Sequence, residues 1–434
     1  MTKVITDIFK GNFFKGDKGI WMIFFFLCLF SLVEGYSASS NLTFNGGNHW
    51  DPMISQFGFI FLGFLVVFLV HLIPYRYFML FSVPLLLVAI ILLIYATFFG
   101  ETINGANRWI RFFGISVQPS EIAKAALVMF TAMVLAKTQT EVKEKDAKGR
   151  IKVKVGALKG GHSWAFSLIM GVTCFLCLFI FFENFSTAAL LFATIFMMMW
   201  IGRIPLDLLG KTILACLALI ALLVTVIMIV PEDTLGKIPK MGRAVTWKHR
   251  IEAMTGANRD DGKEYNFKDD LQASHAQIAI ASSNGIGRGP GNSVERDFLP
   301  HAESDFIYSI IVEETGILGA VFVLFLYVAL IIRASRIAKR CQRYFPVYLV
   351  LGLAMLITFQ ALTNMLVATG LFVTGQPLPI ISRGGSSLFI NCGYIGMMLS
   401  VSRNAESMNL KKKDNSDLLT AHTTPEFYNQ ENID

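Results

Sequence analysis

The segment HAESDFIYSIIVEETG, residues 301–316, places four carboxylates beside or inside an apolar run: Glu303, Asp305, Glu313 and Glu314. Ser304 is a suitable N-cap residue, which would place Asp305 in the first turn of a helix, where the helix dipole favours an ionised carboxylate. A carboxylate that stays ionised can act as a general base towards a hydroxyl group. By themselves, the residues fit equally well with Asp305 only stabilising the start of the helix.

Glu313 and Glu314 lie about two turns further along the same helix, at ~1.5 Å rise per residue, and therefore at membrane depth. An acid there is costly and is a functional candidate by default. Lys124, inside another apolar segment, is a candidate partner. We expect the two glutamates to be structural, in an ion pair or a hydrogen-bonded contact between helices. Glu303 and Asp297 are expected to be solvated loop acids, although either could help to hold a metal.

The composition indicates that these residues belong to a membrane protein. Of the 434 residues, 54% are hydrophobic and 16% are charged, whereas soluble domains carry roughly 25% charged residues. A spanning helix needs ~20 apolar residues. Segments of about that length occupy residues 19–38, 53–73, 77–99, 118–136, 164–182, 184–201, 209–230, 305–332, 346–373 and 384–402. The predicted fold class is an all-α integral membrane protein with about ten transmembrane helices.

The distribution of basic residues predicts the orientation of the bundle. Lys and Arg cluster at the N-terminus and in residues 137–159, 333–343 and 411–413, all on one side of a ten-helix bundle, whereas the loop 39–52 has none. Both termini are therefore expected to be cytoplasmic. The same clustering explains the net charge of +7 by topology, so we expect no nucleic-acid partner.

The predicted membrane domain covers residues 1–403, followed by a polar cytoplasmic tail, residues 404–434, that is predicted to be disordered. A large extracytoplasmic loop, residues 231–304, lies between helices 7 and 8, and loops this long are usually functional or disordered. Short helices are predicted in it at 243–254 and 270–285. The GIGRGPGNS sequence that follows is interpreted as a structural turn or a lipid-headgroup contact, because no strand precedes it as a nucleotide-binding loop would require.

Three stretches on the predicted outer side resemble the SEDS family of cell-wall polymerases in their order and spacing. They are NGANRWIRFFGISVQPSEIAK (104–124), the region 270–316, and TGQPLPIISRGGSS (374–387). The resemblance covers nearly all of the chain, and the sequence around GNS is more similar to the division member of the family than to the elongation member. The sequence departs from the family pattern at His301, at Arg383 and in FENFSTA.

The resemblance implies a peptidoglycan glycosyltransferase that polymerises lipid II at the outer face of the bacterial cytoplasmic membrane during cell division. It also implies a location at the division septum, a class B penicillin-binding protein as the transpeptidase partner, and contacts with other divisome membrane proteins. Asp305 matches the family's proposed catalytic aspartate. Two alternatives are a flippase or transporter for lipid II and a non-catalytic divisome scaffold.

The departing pyrophosphate of lipid II would require a positive environment, for which Arg suits planar, bidentate phosphate recognition. Arg108 and Lys124 rank highest because they lie in matching motifs, and the other candidate substrate-binding residues are Arg250, Arg288, Ser386 and Ser387. A divalent cation could supply further charge at the pyrophosphate. The sequence has no His/Cys zinc pattern, so we expect Mg²⁺ or Mn²⁺, with Asp305 as a candidate ligand.

Overall fold

In the computed structural model, each of the ten apolar segments predicted from the sequence forms a helix. The structure describes residues 14–37, 51–103, 106–112, 115–145, 151–157, 161–230, 248, 267–299, 302–370, 375–383 and 385–421. The ten helices are α1 (Lys18–Ser37), α2 (Asp51–Leu72), α3 (Tyr75–Phe99), α4 (Pro119–Thr138), α5 (Gly161–Glu183), α6 (Phe185–Ile201), α7 (Leu206–Ile229), α9 (Ile307–Arg340), α10 (Tyr344–Ala368) and α11 (Gly385–Ala421), with the shorter α8 (Phe267–Ser282) between α7 and α9.

Length and hydropathy make this a multi-pass membrane protein. Within the described ranges, eight helices are long and apolar enough to cross a membrane. Of the other two, α6 has 17 residues, and α11 is apolar only in its first half. Helices suit this environment because each satisfies its backbone hydrogen bonds internally, without water.

Contacts between helix ends define two sides of the bundle. At one end Ser37 contacts Glu314 and Asn184 contacts the backbone of Gly375. At the opposite end Gln139 donates to the carbonyl of Gly202, 2.9 Å away. We call the first end the Asp305 side, because the turn that carries Asp305 lies there.

The centre of the bundle is formed by α4 and α10. In the candidate membrane-spanning segments of α4 and α10, 89% and 78% of the residues are buried, compared with 11% in α7. Small residues let α4 pack closely, since Ala123, Ala126 and Ala132 are completely buried, and small residues at helix interfaces are typical of membrane bundles. The side chains that α4 and α10 turn inwards are therefore held in fixed surroundings.

Within the ranges given above, five short strands add to the predicted all-α architecture. Strands β1 (Glu101–Ile103), β2 (Ala106–Phe112) and β3 (Ile115–Val117) form an antiparallel sheet on the Asp305 side. On the opposite side, β4 (Gln139–Lys145) and β5 (Ile151–Ala157) form a hairpin, where we predicted only a basic loop. The alternation of Ile or Val with Lys in β5, IKVKV, is the period-2 pattern of a strand.

The segments outside the bundle differ partly from the prediction. The helix predicted at 270–285 is α8 and begins at Phe267, while the helix predicted at 243–254 lies outside the described residues apart from position 248. We predicted disorder from residue 404, but α11 continues as a helix to Ala421. Its sequence from 404 to 421 contains neither Pro nor Gly, and adding residues to an existing helix costs far less than starting one.

Candidate active site

Asp305 lies in a turn that immediately precedes α9. We define the Asp305 turn as residues 302–306. The helix begins at Ile307, and its N-cap residue is Phe306, with no side-chain cap. Our prediction that Ser304 caps the helix is therefore wrong, and Asp305 lies before the first helical turn rather than within it. The buried side chains of Ala302 and Phe306 hold the turn in the protein, and Asp305 between them is partly exposed.

Asn364 of α10 holds the Asp305 turn in place through hydrogen bonds of its side-chain amide. Its completely buried amide donates to the carbonyl of Asp305 over 2.8 Å and to the carbonyl of Gln376 over 2.6 Å. Gln376 in turn donates to Thr187 Oγ1 at the start of α6, 2.5 Å away. One side chain thus fixes the position of the Asp305 backbone relative to the segment 375–383.

The carboxylate of Asp305 lies against Gly375. A Cβ atom built on Gly375 would be 2.6 Å from Asp305 Oδ2, which is closer than Cβ atoms approach other atoms. A glycine at this position is therefore required for the close approach. The contact brings together two stretches that the resemblance singled out, around Asp305 and in TGQPLPIISRGGSS.

Segment 375–383 holds the other edge of the Asp305 turn. Ser382 Oγ donates to the carbonyl of Ser304 over 2.7 Å, and the Arg383 N–H donates to the carbonyl of Glu303 over 2.9 Å. The segment is itself attached to α9, because the Tyr327 hydroxyl donates to the carbonyl of Pro379 over 2.6 Å. This irregular backbone can lie within the bundle because side chains satisfy its carbonyl groups.

Lys124 is buried beneath this segment and already has partners. Its ammonium nitrogen is 2.8 Å from Glu121 Oε1 and donates to Gln360 Oε1 over 2.9 Å, while Gln360 donates to the carbonyl of Pro377 over 3.1 Å. The proposed pairing of Lys124 with Glu313 or Glu314 is therefore wrong. Because Lys124 is completely buried, the structure favours a structural role over the direct pyrophosphate contact that we predicted.

Glu313 accepts hydrogen bonds from the glycine-rich loop, which we define as residues 283–294. Its carboxylate accepts from Ser293 Oγ over 2.5 Å, from the Val294 N–H over 3.1 Å and from the Glu295 N–H over 3.4 Å. Arg288 Nη1 lies 3.4 Å from the same carboxylate. The predicted contact between helices is thus, for Glu313, a contact between a helix and a loop.

Glu314 joins the same loop to α1. It accepts from the N–H groups of Gly291 over 2.9 Å and Ser293 over 3.2 Å, and from the hydroxyl of Ser37. Arg296 reinforces the junction by donating to the carbonyl of Ser37 over 3.1 Å. A cation at that position also suits the negative end of the α1 dipole.

A break in α9 at Gly316 makes these contacts geometrically accessible. Gly316 has φ 70° and ψ −167°, a conformation that glycine adopts at little cost. The carbonyl of Glu313 there accepts from the Arg288 N–H over 2.9 Å, and the Ile317 N–H donates to the carbonyl of Gly285 over 3.0 Å. The loop thus takes over hydrogen bonds that a continuous helix would have made within itself.

The remaining predicted residues are only partly brought to this site. Arg288 is exposed and lies beside Glu313. Ser386 is buried at the start of α11, and Ser387 Oγ accepts from Asn391 over 3.3 Å. Arg108 lies in β2, where the structure describes the backbone, and Arg250 lies outside the described residues.

Sequence reasoning missed several buried polar residues. Gln360 and Asn364 are four residues apart, the spacing that places both on one face of a membrane helix, and polar residues in such helices are functional candidates. Glu121 and Lys124 are three apart, which places them on one face of α4. Glu34, a lone acid in the apolar α1, is completely buried and has no hydrogen-bond partner among the residues that the structure describes.

The donor set around Asp305 is too small to form a closed metal site on its own. The described part of the chain contains no group of three or more His, Cys, Asp or Glu side chains that could hold a metal ion. Mg²⁺ is usually bound by one or two carboxylates together with substrate phosphates. The residues present therefore fit a cation that is completed by a bound pyrophosphate.

The fold and the site define a multi-pass membrane protein with a carboxylate, Asp305, at one end of the helix bundle. The chain belongs to the FtsW/RodA/SpoVE family, whose model, described as "Cell cycle protein", matches residues 17–407. It is 31% identical over 398 residues to the probable peptidoglycan glycosyltransferase FtsW of Trichlorobacter lovleyi, covering 89% of this chain and 93% of the relative. It is 30% identical over 406 residues to that of Bacillus subtilis, covering 89% and 91%.

Solved structures share the fold. A chain of a peptidoglycan synthase complex that coordinates polymerization and crosslinking matches with a TM-score of 0.63 and 23% identity, over 90% of this chain and 98% of that chain. The rod shape determining protein RodA of Thermus thermophilus matches with a TM-score of 0.57 and 20% identity, over 91% and 99%. At these identities the likeness shows a shared fold.

Proposed function

We propose that this chain is a peptidoglycan glycosyltransferase that polymerises lipid II into glycan strands during cell division, with Asp305 as the general base. Family membership and the names of its relatives support the enzyme class. The observation that carries the assignment of the base is the placement of Asp305. It lies in a turn anchored by Asn364 and Ser382 at one surface of the bundle, with its carboxylate against Gly375.

Glycosyl transfer at this site requires one proton transfer. The hydroxyl oxygen of the attacking sugar forms a bond to the anomeric carbon of the lipid-linked donor, and the bond from that carbon to the pyrophosphate oxygen breaks. The hydroxyl proton passes to the Asp305 carboxylate, and the pyrophosphate leaves with the polyprenol. General base catalysis of this kind contributes roughly 10²–10⁴-fold in rate. A site at the membrane surface lets the lipid tail remain in the bilayer throughout.

The leaving pyrophosphate needs positive charge, for which Arg108, Arg250 and Arg288 remain candidates, with Ser386 and Ser387 as hydrogen-bond donors. Arg288 is exposed, and its carboxylate neighbour among the described residues is Glu313. The face of its guanidinium that points away from Glu313 could meet a phosphate. Arg is suited to this role because its planar fork matches two phosphate oxygens at once.

A divalent cation, Mg²⁺ or Mn²⁺, would be held by Asp305 and the pyrophosphate oxygens. When bound, it would neutralise charge that develops on the leaving group. A base and a metal ligand differ in a measurable way. Excess Mn²⁺ should partly restore an Asp305→Asn variant only if Asp305 is a metal ligand.

Location and partners follow from the same proposal. The basic residues of the β4–β5 hairpin and of the C-terminal end of α9 lie opposite the Asp305 side, which supports an extracytoplasmic Asp305 and cytoplasmic termini. The family supports a position in the cytoplasmic membrane at the division septum. A class B penicillin-binding protein would crosslink the product, as the likeness to a chain of a peptidoglycan synthase complex supports, and other divisome membrane proteins would assemble with it.

The decisive experiment gives lipid II to the purified protein in detergent, with and without the transpeptidase. Wild-type protein should make long glycan strands, and a folded Asp305→Asn variant should be slower by roughly 10²–10⁴-fold. A lipid II flippase or a scaffold predicts otherwise, because neither forms glycosidic bonds and the purified wild-type protein would then make no glycan strands in detergent. An absence of glycan from the wild type with its transpeptidase, or normal synthesis by Asp305→Asn, would overturn the proposal.

A further inference from the structure

The contacts of Glu313 extend to the catalytic turn. Within the described part of the chain, the partners of its completely buried carboxylate lie in residues 282–295. They are Ser282 Oγ, Arg288 Nη1, Ser293 Oγ and the N–H groups of Val294 and Glu295. The two N–H groups belong to the start of the 3₁₀ turn Glu295–Asp297. A carboxylate that accepts these donors caps the turn from outside, in the way a side chain caps the N-terminus of a helix.

The capped turn is joined to Asp305 by a small core of its own. Leu299, Ala302 and Phe306 pack with Ala276 of α8 and Val367 of α10. The Leu299 N–H donates to the carbonyl of Glu295 over 3.0 Å, and the Ala302 N–H donates to the carbonyl of Leu299 over 3.3 Å. A displacement of the capped turn would therefore be transmitted to the two buried residues that flank Asp305.

A second contact attaches the capped turn to α8. His275 Nδ1 lies 2.7 Å from Glu295 Oε2, and the His275 ring stacks on Phe298 with centroids 5.6 Å apart and planes at 7°. The side chain of Glu295 therefore contacts α8, and its backbone N–H donates to Glu313. The turn is held from two directions before the chain reaches Asp305.

The chain closes on itself in this region. It leaves the capped turn, passes through Asp305, enters α9 and returns at Glu313 to bind the capped turn again. Closing the loop in this way limits the arrangements available to the Asp305 turn. Asn364 and Ser382 hold the same turn from the side of α10 and segment 375–383, so Glu313 supplies a second, independent anchor.

We propose that Glu313 is a positioning residue, which sets the place of the Asp305 carboxylate by holding the turn Glu295–Asp297 against α9. The proposal rests on the proposed function, in which Asp305 is the reactive group. Glu313 does not touch substrate. It acts through residues 293–299 and the Asp305 turn, which pack together in one small core, so its removal should affect the rate of the chemical step more than substrate binding.

The test uses the purified full chain with lipid II and four forms of it: wild type, Glu313→Gln, Asp305→Asn and the double variant. Glutamine keeps the shape of Glu313 but replaces one acceptor oxygen by a donor, which then faces the N–H and O–H groups of the loop. We expect kcat to fall by roughly 10–100-fold, because a misplacement of about 1 Å can cost ~10²-fold, and KM to stay within about threefold. The double variant should be no slower than Asp305→Asn.

Glu34→Gln is the control for the loss of a buried charge at this end of the bundle, because Glu34 is also a completely buried glutamate and lies near the charge of Glu314, but has no hydrogen-bond partner among the described residues. Its kcat should remain within about twofold of the wild type, since no hydrogen bond to the loop is lost. Hydrogen exchange gives a readout that needs no activity. Amides of residues 293–299 should exchange faster in Glu313→Gln, whereas those of α4 should not change.

Each outcome separates the two proposals. A fully active Asp305→Asn variant refutes the proposed function whatever Glu313 does. If Asp305→Asn is slow but Glu313→Gln keeps its kcat, the positioning role is wrong. A double variant slowed by the product of the two single effects would show that Glu313 acts independently of Asp305, and would also overturn the inference. If Glu313→Gln fails to fold, Ser293→Ala removes the shortest contact of Glu313, together with the hydrogen bond that the Arg296 N–H donates to Ser293 Oγ over 3.2 Å within the same turn. An unchanged kcat in that variant would likewise refute the positioning role.

Discussion

The contact between Gly375 and Asp305 gives the sharpest test of the site's geometry. A methyl group added at Gly375 would lie 2.6 Å from Asp305 Oδ2, whereas ordinary contact begins at 3.4 Å, so the two atoms must separate by 3.4 − 2.6 = 0.8 Å. Gly375 is exposed, and its carbonyl accepts only a long hydrogen bond of 3.5 Å from Asn184. We therefore expect the strain to move the carboxylate rather than to unfold the bundle.

A displacement of that size should slow the reaction strongly. Since a misplacement of about 1 Å can cost ~10²-fold, Gly375→Ala should lower kcat by roughly 10–100-fold. Thermal stability should change by less than about 1 kcal/mol, the usual range for a substitution outside the core. The assay is polymerisation of lipid II by the purified variant, with the midpoint of thermal unfolding measured on the same preparation.

Gly393→Ala is the matched control for this substitution. Gly393 lies within α11, and a Cβ atom there would meet nothing within 4 Å, so alanine should be tolerated or slightly stabilising. It should leave kcat unchanged. A folded Gly375→Ala variant with the kcat of wild type would refute the reasoning, because the position of the carboxylate against Gly375 would then have no bearing on the reaction.

Three further predictions test the surroundings of the site. Lys124→Met should destabilise the protein by about 3–5 kcal/mol, because it leaves the buried Glu121 unpaired. Adding Glu121→Gln to Lys124→Met should recover most of that loss. Equal thermal stabilities for the single and double variants would contradict the pairing. Gly316→Ala should destabilise the junction with the glycine-rich loop, because its Cβ would lie 2.5 Å from the carbonyl oxygen of Gly285; an unchanged unfolding temperature would show that the break is not needed. Single cysteines at Lys145 and Lys263 should differ in labelling of intact cells by an impermeant thiol reagent, with only position 263 reacting; equal labelling would refute the topology.

The sequence is sufficient to predict the helices but not their polar contacts. Eight of the ten segments form helices that are long and apolar enough to cross a membrane, where a spanning segment satisfies its backbone groups by being helical. The observed bounds of the ten helices agree with the predicted ones to within a few residues at most ends. The partner of Lys124 is harder to predict, because a buried charge pairs with whatever the fold brings near it. Spacing within α4 indicates Glu121, whereas the prediction paired Lys124 with an acid on a different helix.

The geometry around Asp305 could not have been predicted from patterns. Asn364 is a single polar residue in an apolar helix, and only the folded chain shows that its amide joins the carbonyls of Asp305 and Gln376. The interpretation of the glycine-rich loop as a turn is consistent with the structure, but nothing in its sequence indicates that Glu313 and Glu314 hold it. The Gly316 break is equally hidden, since an isolated glycine within a helical pattern is usually tolerated.

Neutral side chains hold the Asp305 turn, whereas carboxylates hold the glycine-rich loop, and the charge of Asp305 gives a reason for this difference. Next to Asp305 the anchoring side chains are a neutral amide, Asn364, and a neutral hydroxyl, Ser382. The anchoring carboxylates, Glu313 and Glu314, act on the glycine-rich loop, where backbone N–H groups and hydroxyls surround their charge. Because a like charge nearby disfavours ionisation, a glutamate that anchored the Asp305 turn directly would work against a base that must be ionised to accept a proton. Neutral anchors beside the base, with charged anchors placed on the loop behind it, give rigidity without that penalty.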